Sequence, residues 1–360
     1  MLRMASRITR RSSMNVISAT SPTKTSISAA ATAAAQRSCH DAASLSPFAS
    51  SNHVMSDTDK FLFDTNGFVV VKGVFDKSDL SRFHSAIETH ADQIHERKGQ
   101  LRLTKEKTPL SGDGKTGRKD LAGFLGWEKP NCEPFREVLA HPRLVPYLHE
   151  LVGPGYRLDH NPLLIMQDPG AEGFEFHGGS TLDNDEWNHP LGYNFMHGKM
   201  RCNLLAFAVH LTDVNAGDGG FCIIRGSHKS NFKCPSSIKR YEEATEHSYQ
   251  PEIKAGDVVI FTEATTHGTL PWKGAEQRRN IIYRFSPATN AYGRGYAEGG
   301  WPQSYLEGMT EAQRAVMEMP YHPRLNRVAV APDGNGVVQP APREQHKVDF
   351  DRAVFKADYF

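Results

Sequence analysis

From Tyr156 onward the chain is cut into short apolar runs separated by turns, and this punctuation limits the fold more than any other feature. Tyr156–Leu158, Leu163–Met166, Leu204–Leu211, Phe221–Ile224, Val258–Phe261 and Ile281–Phe285 each have strand length and strand composition. Their number and spacing predict an antiparallel sandwich or barrel. What precedes them is different in character and predicts a helical layer in front of the sheets.

Order is expected from about Phe61, where a turn leads into the β-branched strand Phe68–Val71. A helix follows, capped by Asp76 or Ser78, with Leu80, Phe83, Ile87, Ala91 and Ile94 at helical spacing and Gly99 as a stop. Residues 104–120 are polar and Gly-rich. Gly114-Lys115-Thr116 invites a phosphate-loop reading, but the first glycine of that pattern falls on Pro109, so a flexible loop is expected instead. Pro134–Leu139 and Leu144–Leu151 read as short helices, the second ended by Gly153-Pro154-Gly155. Thr310 and Gln313 have capping-box spacing and open a helix through Met317, halted by Pro320. Beyond Ala331 the chain is rich in Pro and Gly and reads as a tail. No internal repeat is visible.

Charge and composition exclude several classes of function. Forty-two Lys and Arg against 41 Asp and Glu leave no excess of positive charge for a nucleic-acid partner. No run approaches the roughly 18 apolar residues of a membrane span. Five scattered cysteines (Cys39, Cys132, Cys202, Cys222, Cys234) contain no CxxC pair, so neither a disulfide framework nor a thiolate metal site is expected. The first 50 residues hold six basic residues and one acidic residue among many Ser, Ala and Thr, the character of a mitochondrial or plastid transit peptide. Without such import the protein would be cytoplasmic. The expected organisation is a leader over residues 1–55, a folded domain over 56–325 and a tail over 326–360.

Seventeen histidines are too many to weigh singly, and an isolated histidine is more often a hydrogen-bonding residue than a ligand. Two stand apart because each follows a strand-like run and is flanked by small residues. They are His177 in Phe-Glu-Phe-His-Gly-Gly-Ser and His267 in Val-Val-Ile-Phe-Thr-Glu-Ala-Thr-Thr-His-Gly-Thr. Glycine beside a ligand admits close approach of backbone and substrate. Arg278, at the start of the next strand, can return beside His267 and hold one end of a dicarboxylate through two parallel hydrogen bonds. Its neighbour Arg279 competes, but strand alternation turns only one of them inward. Arg284 is a further candidate.

Together, Leu-Ile-Met-Gln-Asp-Pro-Gly at 164–170, His177, the block Thr212–Lys229, Ala255–Phe261, His267-Gly-Thr269 and Arg278 resemble the phytanoyl-CoA dioxygenase family over roughly Phe61–Phe285. The resemblance implies a mainly β domain with flanking helices, a double-stranded β-helix (jelly roll, cupin-like) behind an N-terminal helical layer. It also implies an oxygenase using iron(II), 2-oxoglutarate and O₂ on a small-molecule substrate. By that resemblance His177 and His267 take the metal positions, Arg278 the site for the distal carboxylate of 2-oxoglutarate, and Thr269 the hydroxyl that assists it. Two imidazoles and a carboxylate on one face of iron(II) leave three positions for cosubstrate and O₂.

The chain departs from the family pattern at one place. The family has His-X-Asp, and here the residues are His177-Gly178-Gly179. Three readings follow. Another carboxylate completes the metal shell, with Glu175, Asp183, Asp185 and Glu186 in sequence reach, and hydroxylation proceeds. Alternatively the open position takes chloride, as in 2-oxoglutarate-dependent halogenases. In the third reading the domain binds a ligand without catalysis. Other residues carry weaker expectations. His228 and Arg225 belong to a scaffold turn, Gln167 and Asn203 point into the barrel or bond within the sheet, and Trp187, Trp272 and Trp127 border the pocket or pack in the core.

Overall fold

The computed structural model describes residues 54–97, 107–181, 186–293, 300–320, 327–341 and 344–356. The leader, Gly99, Asp183 and Asp185 lie outside the described residues. Helix α1 (Asp57–Asn66) opens the domain, capped by the Ser56 hydroxyl accepting from the Asp59 amide and closed by Gly67 at φ 82°. Order thus begins earlier than the expected turn near Phe61. The helix escapes the periodicity because Phe61 and Leu62 are exposed and only Phe63 is buried.

Strand β1 (Phe68–Val71) is where the β-branched run places it. Helix α2 (Lys77–Thr89) starts on a capping box between Asp76 and Asp79, and ends before Ala91 and Ile94, which belong to a separate turn. Two short strands follow, β2 (His95–Glu96) and β3 (Lys119–Ala122). Next come helices α3 (Glu133–Glu137) and α4 (Val145–Leu151), each with Pro in its first turn. The β region runs β4 (Arg157–Leu158), β5 (Leu163–Gln167), β6 (Phe174–His177), β7 (Tyr193–Met196), β8 (Lys199–Cys202), β9 (Leu205–His210) and β10 (Gly220–Ile224). After the short helix α5 (Ser236–Lys239) it continues through β11 (Ser248–Tyr249), β12 (Val258–Thr262), β13 (His267–Leu270) and β14 (Arg278–Ser286). Helices α6 (Gln303–Leu306) and α7 (Glu311–Met317) follow, the latter with the Thr310–Gln313 capping box the spacing predicts. In the Pro/Gly-rich tail, β15 (Val330–Pro332) pairs with β16 (Val338–Pro340), and α8 (Gln345–Phe355) comes after them.

Two antiparallel sheets form the jelly roll. The larger has the order β1-β12-β9-β14-β5-β3-β2, with β4 paired to β14, and the smaller the order β11-β10-β13-β6. Period-two alternation divides the large sheet's side chains between two cores. Leu205, Phe207 and Val209 of β9, Val258 and Ile260 of β12, and Ile281, Tyr283 and Phe285 of β14 pack against the helices, meeting Phe83, Phe135, Leu148 and Val316. The intervening Ala206, Ala208, Val259, Phe261 and Ile282 face the small sheet, where they meet Phe221 and Ile223 of β10. The described molecule is therefore three layers deep: helices, large sheet, small sheet.

One polar node pins the end of β14. Asp159 is fully buried just beyond β4 and accepts from Arg157 (2.9 Å), from the Ser286 hydroxyl (2.8 Å) and from the Tyr292 amide (3.0 Å). Burial alone would raise its pKa. The hydrogen bonds from His160, Tyr292, Ser286 and Gly293 outweigh that and hold it well below the usual carboxylate range. A depressed folded-state pKa stabilises the fold fully above the unfolded value near 3.8, and that stability is lost as pH falls toward the folded value. Asp159→Asn is expected to lose about 3–5 kcal/mol at pH 7 by urea denaturation, since it removes the buried negative charge that faces the Arg157 guanidinium at 2.9 Å. The gap from wild type should narrow below about pH 4.

Candidate functional site

The fold brings His177 and His267 face to face. They are direct partners where β6 pairs with β13, with ring centroids 4.3 Å apart. Both are strand residues, the last of β6 and the first of β13, whereas the sequence reading sets each just beyond a strand. Each ring is fixed in the same way. Nδ1 of His267 lies 2.8 Å from the Thr265 carbonyl and Nδ1 of His177 lies 3.0 Å from the Glu175 carbonyl. A nitrogen facing a carbonyl carries the proton, so in both rings the basic lone pair is on Nε2, the tautomer a metal-binding histidine needs.

A carboxylate joins them from a residue the sequence reading does not weigh. Glu263, buried one residue past β12, has a carboxylate oxygen in a group with nitrogens of His177 and His267, all within 4.8 Å of one another. Its Oε1 accepts from Arg284 Nε at 2.6 Å, and its Oε2 lies 3.6 Å from His267 Nε2. Burial would raise the Glu263 pKa, but Arg284 and the two histidines outweigh it and hold the carboxyl at about 2. Burial, aided by His177, pushes His267 down to about 4. At neutral pH Glu263 is a carboxylate and His267 a neutral imidazole, the protonation state for binding a divalent metal.

The 263–267 segment is clamped from several sides. Gly67 accepts from the Thr262 amide at 3.1 Å and from the Thr265 hydroxyl at 3.3 Å, and the Ser227 hydroxyl accepts from the Thr266 amide at 2.8 Å. Ser227 belongs to the Arg225-Gly226-Ser227-His228 turn, and His228 bonds through Nε2 to the Asp64 carbonyl at 3.1 Å. That block is a scaffold for the site, as expected, while Arg225 lies over the Tyr249 ring. On the other side sits the Gly178-Gly179 turn. A Cβ on Gly178 would fall 2.6 Å from the carbonyl oxygens of both Glu263 and Thr265, and the Gly179 amide donates to the Glu263 carbonyl at 3.2 Å.

At the other end of the same inter-sheet pocket, of about 230 Å³, lies Arg278. Alternation along β14 turns Arg278, Asn280, Ile282 and Arg284 into the pocket, whereas Arg279 points away to Glu88 at 2.6 Å. Arg278 is buried and donates through Nη1 to Gln167, its cross-strand partner, at 2.8 Å. Its Nε has no partner, and among the described residues no carboxylate pairs with it. Burial and neighbouring Arg118 lower its pKa to about 10, so it remains a cation at neutral pH. Gly220, at φ 77°, leaves the space this guanidinium uses, since a Cβ there would be 2.8 Å from Nε. Thr269 lines the pocket with the histidines.

Other expectations resolve differently. Gln167 serves Arg278 within the sheet, and the Asn203 side chain bonds the His189 carbonyl. Trp272 is buried in the inter-sheet core, Trp127 stacks on His90 and meets Phe135 edge to face, and exposed Trp187 does not line the pocket. Glu175 and Glu186 are not in the metal-competent group. A second pocket of about 280 Å³ lies against the Gly178-Gly179 turn.

The phytanoyl-CoA dioxygenase family profile matches residues 63–280, more than half of the chain. Among solved structures, HygX from Streptomyces hygroscopicus with nickel and 2-oxoglutarate bound is similar at TM-score 0.54 and 21% identity, over 67% of this chain and 90% of that one. The same protein with nickel, 2-oxoglutarate and hygromycin B bound gives 0.54 and 20% over the same shares of the two chains. Its iron-bound form gives 0.53 and 21%, again over 67% and 90%. These likenesses establish the jelly-roll fold. No curated protein matches the chain significantly.

Because Gly178 has no room for a side chain and sits at φ 83°, Gly178→Ala is expected to cost at least about 1–3 kcal/mol by thermal denaturation, with the larger loss if the Glu263–Thr265 backbone holds its place.

Proposed function

The chain belongs to the phytanoyl-CoA dioxygenase family of iron(II)/2-oxoglutarate-dependent enzymes, and from that premise we propose that it is a hydroxylase-type oxygenase acting on a small organic metabolite. His177 and His267 hold the metal, Arg278 holds the distal carboxylate of 2-oxoglutarate, and Thr269 supports that carboxylate. The observation that carries this reading is the pocket's polarity. One end has two imidazoles of matched tautomer, and the other has a buried arginine whose Nε has no partner. A dicarboxylate completes that pattern by adding the missing anion at Arg278.

Bound iron(II) supplies the activation of O₂ that is coupled to decarboxylation of 2-oxoglutarate. The chain's own contribution is placement. The Glu175 and Thr265 carbonyls fix the two ring tautomers and so aim Nε2. Gln167 holds Arg278 in the plane of its strand, so the guanidinium meets the cosubstrate in one orientation. Phe221 and Phe261, packed on each other with centroids 4.9 Å apart, wall the pocket beside His267 and keep bulk water from it. Membership of the family does not select an acyl-CoA substrate, because the site and not the fold determines the metabolite. The halogenase reading draws on a missing carboxylate, and the carboxylate of Glu263 near both histidines supports the hydroxylase reading over it.

Anaerobic addition of iron(II) and 2-oxoglutarate is expected to give the weak visible charge-transfer band of the chelate, and admission of O₂ to give succinate. A folded protein that shows neither is a non-catalytic binding protein. Arg278→Gln is expected to raise the KM for 2-oxoglutarate by roughly 10- to 100-fold, the worth of a charge-assisted pair, while iron binding without cosubstrate is unchanged.

A further inference from the structure

We propose that Glu263 is the carboxylate ligand of the iron, a replacement for the aspartate absent at Gly179 that is supplied by the chain segment carrying His267. The inference rests on the assignment of His177 and His267 as ligands and adds the third. Cis ligands at bond lengths near 2.1 Å sit about 3 Å apart on a metal. Glu263 Oε2 and His267 Nε2 are 3.6 Å apart, and the three donor atoms fall within 4.8 Å, so closing on an ion needs only small side-chain movements.

The carboxylate is already oriented for this use. Arg284 ties Oε1, and Oε2 turns to the histidines. Such an arrangement gives a ligand with one coordinating oxygen and a hydrogen-bonded second oxygen, the outer-shell support that metal-binding carboxylates have. Loss and gain also occupy one place in the fold. The Gly179 amide bonds the Glu263 carbonyl, and Gly178 leaves no space for a side chain between itself and Glu263–Thr265. The turn that lacks the family's aspartate is the turn against which the glutamate's backbone rests. In sequence the pair is Glu-Ala-Thr-Thr-His, so one clamped segment carries two of the three donors.

A rival explanation is that Glu263 only neutralises Arg284. The two differ in what metal titration reads. In anaerobic binding of iron(II) followed by tryptophan fluorescence, Glu263→Gln is expected to weaken affinity by more than about 100-fold, beyond the 10- to 100-fold typical of outer-shell partners. Glu263→Ala should in addition show a chloride-dependent shift of the chelate band that wild type lacks. Adding Gly179→Asp to Glu263→Ala should recover part of the affinity. Wild-type iron affinity retained by Glu263→Gln, with only a lower melting temperature, overturns the proposal and leaves Glu263 as Arg284's partner. Should the variants fail to fold, an iron-soaked wild-type crystal decides, with Glu263 Oε2 at about 2.0–2.2 Å from the metal expected and a distance beyond 3 Å overturning it. A wild type that binds no iron at all instead refutes the oxygenase reading beneath it.

Discussion

Strand alternation across the large sheet is the constraint on which the site depends. Each of its central strands presents one set of side chains to the helices and the other to the small sheet. On β14 this parity separates Ile281, Tyr283 and Phe285, which build the helical core, from Arg278, Asn280 and Arg284, which line the pocket. A slip of one residue would bury Arg279 in the site and turn Tyr283 into it, so register here is fixed from both faces. The same strand thus holds the domain together and aims two pocket-lining arginines, Arg278 and Arg284, which lie six residues apart on one face.

Those two arginines are electrostatically unlike. Arg284 is matched within the protein by Glu263, and its charge serves to keep that buried carboxylate ionised. Among the described residues Arg278 bonds the neutral amide of Gln167 and no carboxylate. A buried cation lacking a counter-ion is costly and persists where a ligand provides the anion. Its placement among packed strands, opposite Gln167 and beside the space left by Gly220, prevents escape to water. The pocket is consequently polarised, with the anion-requiring end preformed and the metal-requiring end already supplied with a carboxylate.

Much of this was legible in the residues. The apolar runs mark β1, β5, β9, β10, β12 and β14 because each is bounded by turn residues and largely buried. His177 and His267 are singled out by their setting, strand-adjacent histidines with glycine beside them, and Arg278 by opening the following strand, whereas Thr269 comes from the family resemblance alone. Parity admits only one of Arg278 and Arg279, and spacing from His267 favours Arg278. Glu263 is less legible because its direction is set by the Thr262–Thr266 turn and its clamps from Gly67 and Ser227, which come from distant parts of the chain. Searching for a carboxylate near His177 looks in the wrong segment. The only local signal is an acidic residue directly after an apolar strand, four positions before a candidate ligand. Helix α1 and the β7–β8 hairpin are likewise missed, since both expose large apolar residues that blur their period.

The Gly178-Gly179 turn then acquires a positive role. Read alone, it is a deletion of a ligand from a metal site. Read with Glu263, it is the geometric condition for a different donor, because the segment bearing Glu263 and His267 passes within hydrogen-bonding distance of Gly179 and too near Gly178 for any side chain. An aspartate at Gly179 would have room, with its Cβ 3.8 Å from the Thr266 hydroxyl, but a left-handed backbone at φ 101°, and would bring a second carboxylate toward the segment that carries Glu263. With a carboxylate of 2-oxoglutarate also at the ion, a second protein carboxylate would leave the buried site with a net negative charge, which burial makes expensive. One carboxylate from the chain and one from the cosubstrate balance the two charges of the ion, so glycine at 179 and glutamate at 263 belong to a single solution.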